Sequence, residues 1–290
     1  MSSSRLRPAT ADDAAAIAEL YEATLGAARV TGVEQISAWL RNTAKLENTC
    51  VLEAGGIAGF ADFWLEDGCV GADIVAAPDR ADELLDWVEA RARDAGVAKV
   101  RTFFPAGHAL ARVVEERGYL YWRSAFTMEI ELSDEVPPPV PDGITLRSFE
   151  PGDDELLRAA LNEVFRDGAF FTVVSREDFA RKFRAAHGFD PSLWLLAEAG
   201  DKLVGFAIGF AEYGSDETLG WIWNLGVKRD WRRRGLGGAL LQTMFALLRE
   251  RGLRRVGLGV DAENATGAVA LYERAGMRQV GRLDNWRKTL

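Results

Sequence analysis

In Asn224-Leu225-Gly226-Val227-Lys228-Arg229-Asp230-Trp231-Arg232-Arg233-Arg234-Gly235-Leu236-Gly237-Gly238-Ala239-Leu240-Leu241, an apolar strand ends near Val227, a charged turn follows, and a helix opens on glycines. Leu240, Leu241, Met244, Phe245, Leu247 and Leu248 give that helix its apolar face. The first N–H groups of a helix have no intrahelical partner, and the helix dipole adds positive potential there. Glycines let an anion reach those amides, because no Cβ stands in the way. Arg232, Arg233 and Arg234 add fixed charge to an otherwise acidic chain. The segment therefore reads as a pyrophosphate site; an arginine-rich surface turn is the plainer reading of the same letters. Neither Gly-x-Gly-x-x-Gly after a first strand nor Gly-Lys-Ser/Thr is present, which sets aside a dinucleotide fold and a P-loop.

Further on, Val260-Asp261-Ala262-Glu263-Asn264 leads into a helix bearing Ala270-Leu271-Tyr272-Glu273-Arg274 and ending at Gly276. The two segments together resemble the signatures of the GNAT superfamily of N-acetyltransferases. The first has the pattern Arg/Gln-x-x-Gly-x-Gly/Ala, here Arg232-x-x-Gly235-x-Gly237. The second has an Asn after a strand, then a helix with Leu-Tyr and a terminal Gly.

The resemblance implies acetyl-CoA as cosubstrate and no metal. Backbone groups of Leu225, Gly226 and Val227 would pair with the pantetheine arm like an added strand. Amides from Arg233 through Leu236 to Gly238 would hold the pyrophosphate, and Asn264 would bind near the pantetheine. Tyr272 would protonate the leaving thiolate: a phenol of pKa about 10 is still protonated at neutral pH, whereas a thiol near 8.5 is the better leaving group. By composition alone Tyr272 is equally a core aromatic, and Asn264 a helix cap.

The acceptor side departs from the family. Where related enzymes carry a Glu on the fourth strand as base, this chain has Trp221. Glu217 is the substitute candidate, with Glu212 and Asp216 behind it; all three also read as solvated turn charges. Trp221, Trp223 and Asn224 are candidate acceptor-pocket residues, and core packing accounts for the tryptophans as well.

Working outward, Asp134-Glu135-Val136-Pro137-Pro138-Pro139-Val140-Pro141-Asp142-Gly143 holds four of the nine prolines and reads as an extended spacer. On either side the order β-α-α-β-β-β-α-β-α-β occurs once. Helix-ending glycines align, Gly96 with Gly252 and Gly118 with Gly276. The expected class is α/β with a mixed α+β sheet: two tandem GNAT-like domains, each a mostly antiparallel sheet flanked by helices. The expected bounds are 1–133, a linker 134–143, and 144–290. At constant offset, Arg232, Gly235 and Gly237 fall on Ala76, Asp79 and Ala81, Tyr272 on Val114, and Asn264 on Ala106. Asp79, Asp82 and Glu83 would oppose a pyrophosphate, so the first copy is expected to be degenerate.

Composition narrows the partners. Net charge is −9 and pI about 5.0, which disfavours nucleic acid. No apolar run suits a signal peptide or a membrane span. Cys50, Cys69, His108 and His187 lack metal-site spacing and suit a reducing cytoplasm. The expected reaction is direct acetyl transfer to a primary amine of a small molecule, with a strand N–H near Leu225 or Gly226 stabilising the oxyanion. A non-catalytic acetyl-CoA sensor or scaffold is the alternative. The oligomeric state has no mark in the sequence.

Overall fold

The computed structural model describes residues 4–25, 32–41, 47–66, 68–134, 137–186, 188–212 and 216–290. His187, and residues 135 and 136 of the proline spacer, lie outside them. The chain forms two compact units, 1–125 with 281–290, and 126–280. These differ from the halves expected on either side of the proline spacer. The last strand of each repeat is grouped with the other repeat, and the spacer lies inside the second unit.

In the first unit, β1 (Arg5–Arg7), β2 (Thr49–Glu53), β3 (Ile57–Glu66), β4 (Cys69–Ala76) and β5 (Lys99–Pro105) lie side by side in that order. The end of β12 (Arg278–Thr289) pairs with β5, from Leu283↔Pro105 to Thr289↔Lys99. β1, β2, β3 and β4 pair antiparallel, and β4 and β5 run parallel. Helices α1 (Ala14–Leu25), α2 (Val33–Arg41), α3 (Ala81–Asp94) and α4 (Leu110–Glu116) cover the sheet. Leu84, Leu85 and Val88 of α3 pack on Val70, Ala72 and Ile74.

The second unit repeats the plan. Its strands are β7 (Thr145–Ser148), β8 (Trp194–Ala199), β9 (Lys202–Phe210), β10 (Leu219–Val227), β11 (Arg255–Asp261) and the end of β6 (Leu120–Glu131), in that order. Its helices are α5 (Asp154–Phe165), α6 (Arg176–Phe179), α7 (Leu236–Glu250) and α8 (Ala268–Arg274). α7 buries Leu236, Leu240, Leu241, Met244, Phe245 and Leu248; of the face read from the sequence only Leu247 is half-buried, and Leu236 is added to it. Each such side chain contributes about 1.5–3 kcal/mol. The helix sits close because Gly209 faces it: a Cβ there would be 2.5 Å from Met244 Sδ. On the other sheet face Trp194 is fully buried, ringed by Phe149, Phe179, Phe183 and Phe189 at 4.8–6.3 Å between centroids.

A detail inside each unit supports duplication. Arg7 is clamped by Asp13 and Glu53, both at 2.7 Å. Arg147 is clamped by Asp153 at 2.6 Å and Glu198 at 2.7 Å. In both, an acid six residues after the arginine also accepts a backbone N–H, from Thr10 or Glu150. The Arg7 guanidinium holds the Asp13 carboxyl down at about 2, and Arg147 lowers Asp153 likewise. Among the described residues, no helix is long and apolar enough to cross a membrane.

Candidate active site

The site is built where β10 leaves β11. Parallel pairing runs from Leu219↔Arg255 to Ile222↔Leu258 and stops. On its other edge β10 continues with β9 to Val227↔Gly205, with an irregularity between Ile222 and Asn224 that makes Trp223 an extra residue. Such a bulge bends a strand and re-aims the residues that follow it. Trp223–Val227 therefore turns an edge of N–H and C=O groups toward the gap, free of a ladder from β11. Asn224 Oδ1 is buried there with no hydrogen-bond partner. Gly226 closes the strand against α5: a Cβ would be 2.5 Å from Phe206 Cζ and 3.0 Å from Val164 Cγ1.

The strand then enters a 3-10 turn, Arg229–Trp231, and α7 begins at Leu236. Arg232 is a brace: its Nε donates to the Val227 carbonyl at 2.9 Å and its Nη2 to the Val164 carbonyl at 3.5 Å. Arg233 is exposed and has φ 60°, the one positive φ among described non-glycine residues. Arg234 is exposed and places its guanidinium 5.0 Å over the Trp231 ring. Gly235 has φ 84° and caps the helix. The amides of Leu236, Gly237 and Gly238 precede the bond from Ala239 N–H to the Gly235 carbonyl at 3.0 Å. A Cβ on Gly238 would meet nothing within 4 Å. Unpartnered amides, open space and two exposed guanidiniums make a fit for a pyrophosphate.

Past β11, Asn264 Oδ1 accepts from the Thr266 N–H at 2.8 Å and the Thr266 hydroxyl at 2.5 Å. The oxygen is spent on the turn, and its NH₂ is the group left to offer. Helix α8 meets the mouth of α7, since a Cβ on Gly237 would be 3.2 Å from Leu271 Cδ2. The next residue, Tyr272, is 6% exposed, and its hydroxyl makes no hydrogen bond among the described residues. Burial pushes that phenol up to about 12.

The acceptor-side residues divide. The half-buried Trp221 lays its ring on Gly257, Cζ3 standing 2.6 Å from where a Cβ would be. Trp223 is 52% exposed and meets Phe210 edge to face at 5.7 Å. Glu217 is a correction. It is exposed in the turn before Leu219, at the end of β10 opposite the gap. Six strand residues at about 3.3 Å each put it about 20 Å from Leu225, too far to serve as base there. Asp216, in the same turn, is occupied by Thr218 and Arg255, whose hydrogen bonds lower its pKa. Glu212 lies just past the end of β9, at that same end.

In the first unit, four residues, 77–80, separate β4 from α3, against eight, 228–235, between β10 and α7. Ala76 therefore ends its strand as Val227 does, instead of matching Arg232, and the glycine turn has no counterpart. The position in register with Asn224 is Asp73, by way of Asp62 on β3 and Ile208 on β9. Asp73 is buried and accepts a 2.5 Å hydrogen bond from the buried Tyr21 hydroxyl. The β4–β5 ladder stops at Ala72↔Thr102, the rung before Asp73, so the two units differ in the group beside the opening: an orphan oxygen in the second, a carboxylate satisfied by Tyr21 in the first.

A model of the acetyltransferase (GNAT) family matches residues 155–277. The chain belongs to the GNAT acetyltransferase family, and it is an acyltransferase. Its relatives include the mycothiol acetyltransferase of Thermobispora bispora, 35% identical over 226 residues and 76% of each chain. That of Acidothermus cellulolyticus is 35% identical over 246 residues, 78% of this chain and 74% of the relative. Among solved structures, a GCN5-related N-acetyltransferase from Sphaerobacter thermophilus superposes with TM-score 0.78 at 30% identity, covering 99% of this chain and 95% of that one. A tandem GNAT protein from the clavulanic acid biosynthesis pathway gives TM-score 0.72 at 17% identity over 99% and 98%, a likeness of fold.

Proposed function

We propose that the second unit transfers an acetyl group from acetyl-CoA to a primary amine of a small molecule, in one ternary complex. The observation that carries this is the gap after Ile222↔Leu258, with a free strand edge on one side and the amide-rich start of α7 at its end. The edge from Trp223 to Val227 receives the pantetheine amides as a short added strand. The amides of Arg233–Gly238 hold the pyrophosphate, with Arg233 and Arg234 screening its charge. Arg232 acts from behind, by fixing the strand end to the turn. The Asn264 NH₂ and the Asn224 oxygen offer one donor and one acceptor to the bound arm. A strand N–H near Leu225 or Gly226 meets the oxygen of the thioester as charge develops on it. Tyr272 gives its proton to the sulfur. A sensor role has no such use for a buried, protonated phenol.

The first acceptor to try is deacetylated mycothiol, because the relatives are mycothiol acetyltransferases. Trp221 in the acceptor wall argues for a pocket of different chemistry, so glucosamine, kanamycin and a peptide with a free N-terminus belong beside it. We place the enzyme in a reducing cytoplasm, where the buried Cys50 and Cys69 stay thiols. With radiolabelled acetyl-CoA, label is expected on at least one of these amines, dependent on the protein. Absence of transfer to any amine, with tight acetyl-CoA binding, would overturn the enzymatic reading of the site.

A further inference from the structure

An amine attacks only when neutral, and an ordinary ammonium has a pKa near 10. A carboxylate must therefore meet the acceptor near the last rung of the β10–β11 ladder. Neither β10, Leu219–Val227, nor the part of β11 beside it contains one. Asp261, at the far end of β11, accepts the Glu263 N–H at 3.0 Å in the turn that follows.

The structure points to Glu129 of β6, and we propose, resting on the reading above, that it binds the acceptor's ammonium and takes its proton. The Cβ position of Gly257 is 3.3 Å from Glu129 Cγ and 2.6 Å from Trp221 Cζ3. Trp221↔Gly257 is the rung just before Ile222↔Leu258, where the gap opens. The carboxylate thus reaches over a glycine, from the neighbouring strand, into the level that Trp221 occupies on β10. One alternation further along the same face is Gly259, exposed, where a Cβ would meet nothing within 4 Å. The face between Glu129 and the gap is floored by two glycines and walled by Trp221 and Trp223.

Charge supports the same assignment. Arg255 Nη1 donates to Glu129 Oε2 at 2.8 Å, and its Nη2 donates to Asp216. Two carboxylates share one guanidinium, which leaves the cluster one negative charge in excess. Glu129 Oε1 has no protein partner among the described residues, and the side chain is 18% exposed. Arg255 fixes one oxygen, and the other faces the cation.

The balance is as follows. The ammonium nitrogen carries three protons and keeps one in the amide. Glu129 takes the first and returns it to solvent. The nitrogen bonds to the acetyl carbon, the carbon–sulfur bond breaks with its electron pair on sulfur, and Tyr272 gives that sulfur a proton. The second nitrogen proton restores Tyr272.

Glu129→Gln keeps the shape and an oxygen for Arg255 while removing the charge. Acetyl-CoA affinity and melting temperature are expected to stay at wild-type values. Titration of deacetylated mycothiol, or of glucosamine if that is the amine acetylated, into CoA-loaded protein should show at least about tenfold weaker binding. Turnover should fall about 10²-fold, the lower range for a positioned base. The loss should appear with Arg255, Asp216, Glu131 and Arg278 still in place, and Glu129→Asp should recover part of the rate. Wild-type amine affinity and kcat in Glu129→Gln, with transfer intact in wild type, would overturn the role of Glu129 alone. An inert wild type would overturn the function it rests on.

Discussion

Tyr272→Phe is expected to lower single-turnover acetyl transfer by about 10²–10⁴-fold, the contribution of a positioned proton donor. The ring is buried in the core of the second unit, so the variant keeps its packing and its fold. Acetyl-CoA affinity should hardly change, because the proton matters only as the carbon–sulfur bond breaks, and the loss should fall on kcat. Burial holds the phenol at about 12, above the ordinary value, so the protonated form persists across the whole assay range. An alkaline limb below pH 10 in the wild type would therefore come from another group. The same dry surroundings disfavour the thiolate, which keeps the transfer from phenol to sulfur within reach. Single turnover is the measurement to use, since product release can mask chemistry in kcat. A full rate in the Phe variant would remove Tyr272 as the acid.

The second large effect is on binding. Gly235→Val with Gly237→Val should abolish stabilisation by acetyl-CoA. At 100 times Kd a ligand stabilises by about 2.7 kcal/mol, and that increment should disappear. At Gly235 the obstacle is conformation: φ 84° is poorly open to a β-branched residue, although the nearest atom to a Cβ, Pro141 Cγ, is 3.9 Å away. At Gly237 it is space, with Leu271 Cδ2 3.2 Å from the Cβ position. The ligand-induced shift is compared with each protein's own unliganded melting temperature, so loss of stability in the variant does not mimic loss of the site. An unchanged shift would refute the assignment of the α7 start.

Much of this site was legible in the letters because its chemistry is local. Glycines at a helix start, three arginines before them and a Leu-Tyr helix closed by Gly276 mark backbone geometry that neighbouring residues create themselves. What escaped reading depends on pairing across strands. Nothing beside Trp223 marks it as the extra residue of a bulge, nor Ile222 as the last rung of the β10–β11 ladder. The apolar pattern of β12 is the same whichever strand lies next to it, so its place beside β5 was invisible. Glu217 was a reasonable candidate by distance along the chain, but chain distance does not say which end of a strand faces the gap. The constant offset between halves failed at 77–80, where the shorter turn drops four residues. One signal was present and unread: Leu6-Arg7 with Asp13, and Leu146-Arg147 with Asp153, set the same clamp at the same spacing.

The first unit bears on how the pair divides its labour. Its strands part at the same rung, after Ala72↔Thr102, but the next residue, Asp73, is held by the Tyr21 hydroxyl, and its turn lacks the glycine amides. A buried carboxylate at that position, already hydrogen-bonded, offers no free group to a pantetheine arm, and Asp79, Asp82 and Glu83 would oppose a pyrophosphate at the turn. One acetyl-CoA site per chain, in the second unit, is therefore the expected result of a titration, and two sites of similar affinity would contradict it.

Amide hydrogen exchange with and without saturating acetyl-CoA tests the central claim most directly, since it needs neither the acceptor nor turnover. Slower exchange is expected at Trp223–Val227 and Arg233–Gly238, with no change at Asp73–Glu83. Protection centred on Asp73–Glu83, or none at Trp223–Gly238, would contradict the account.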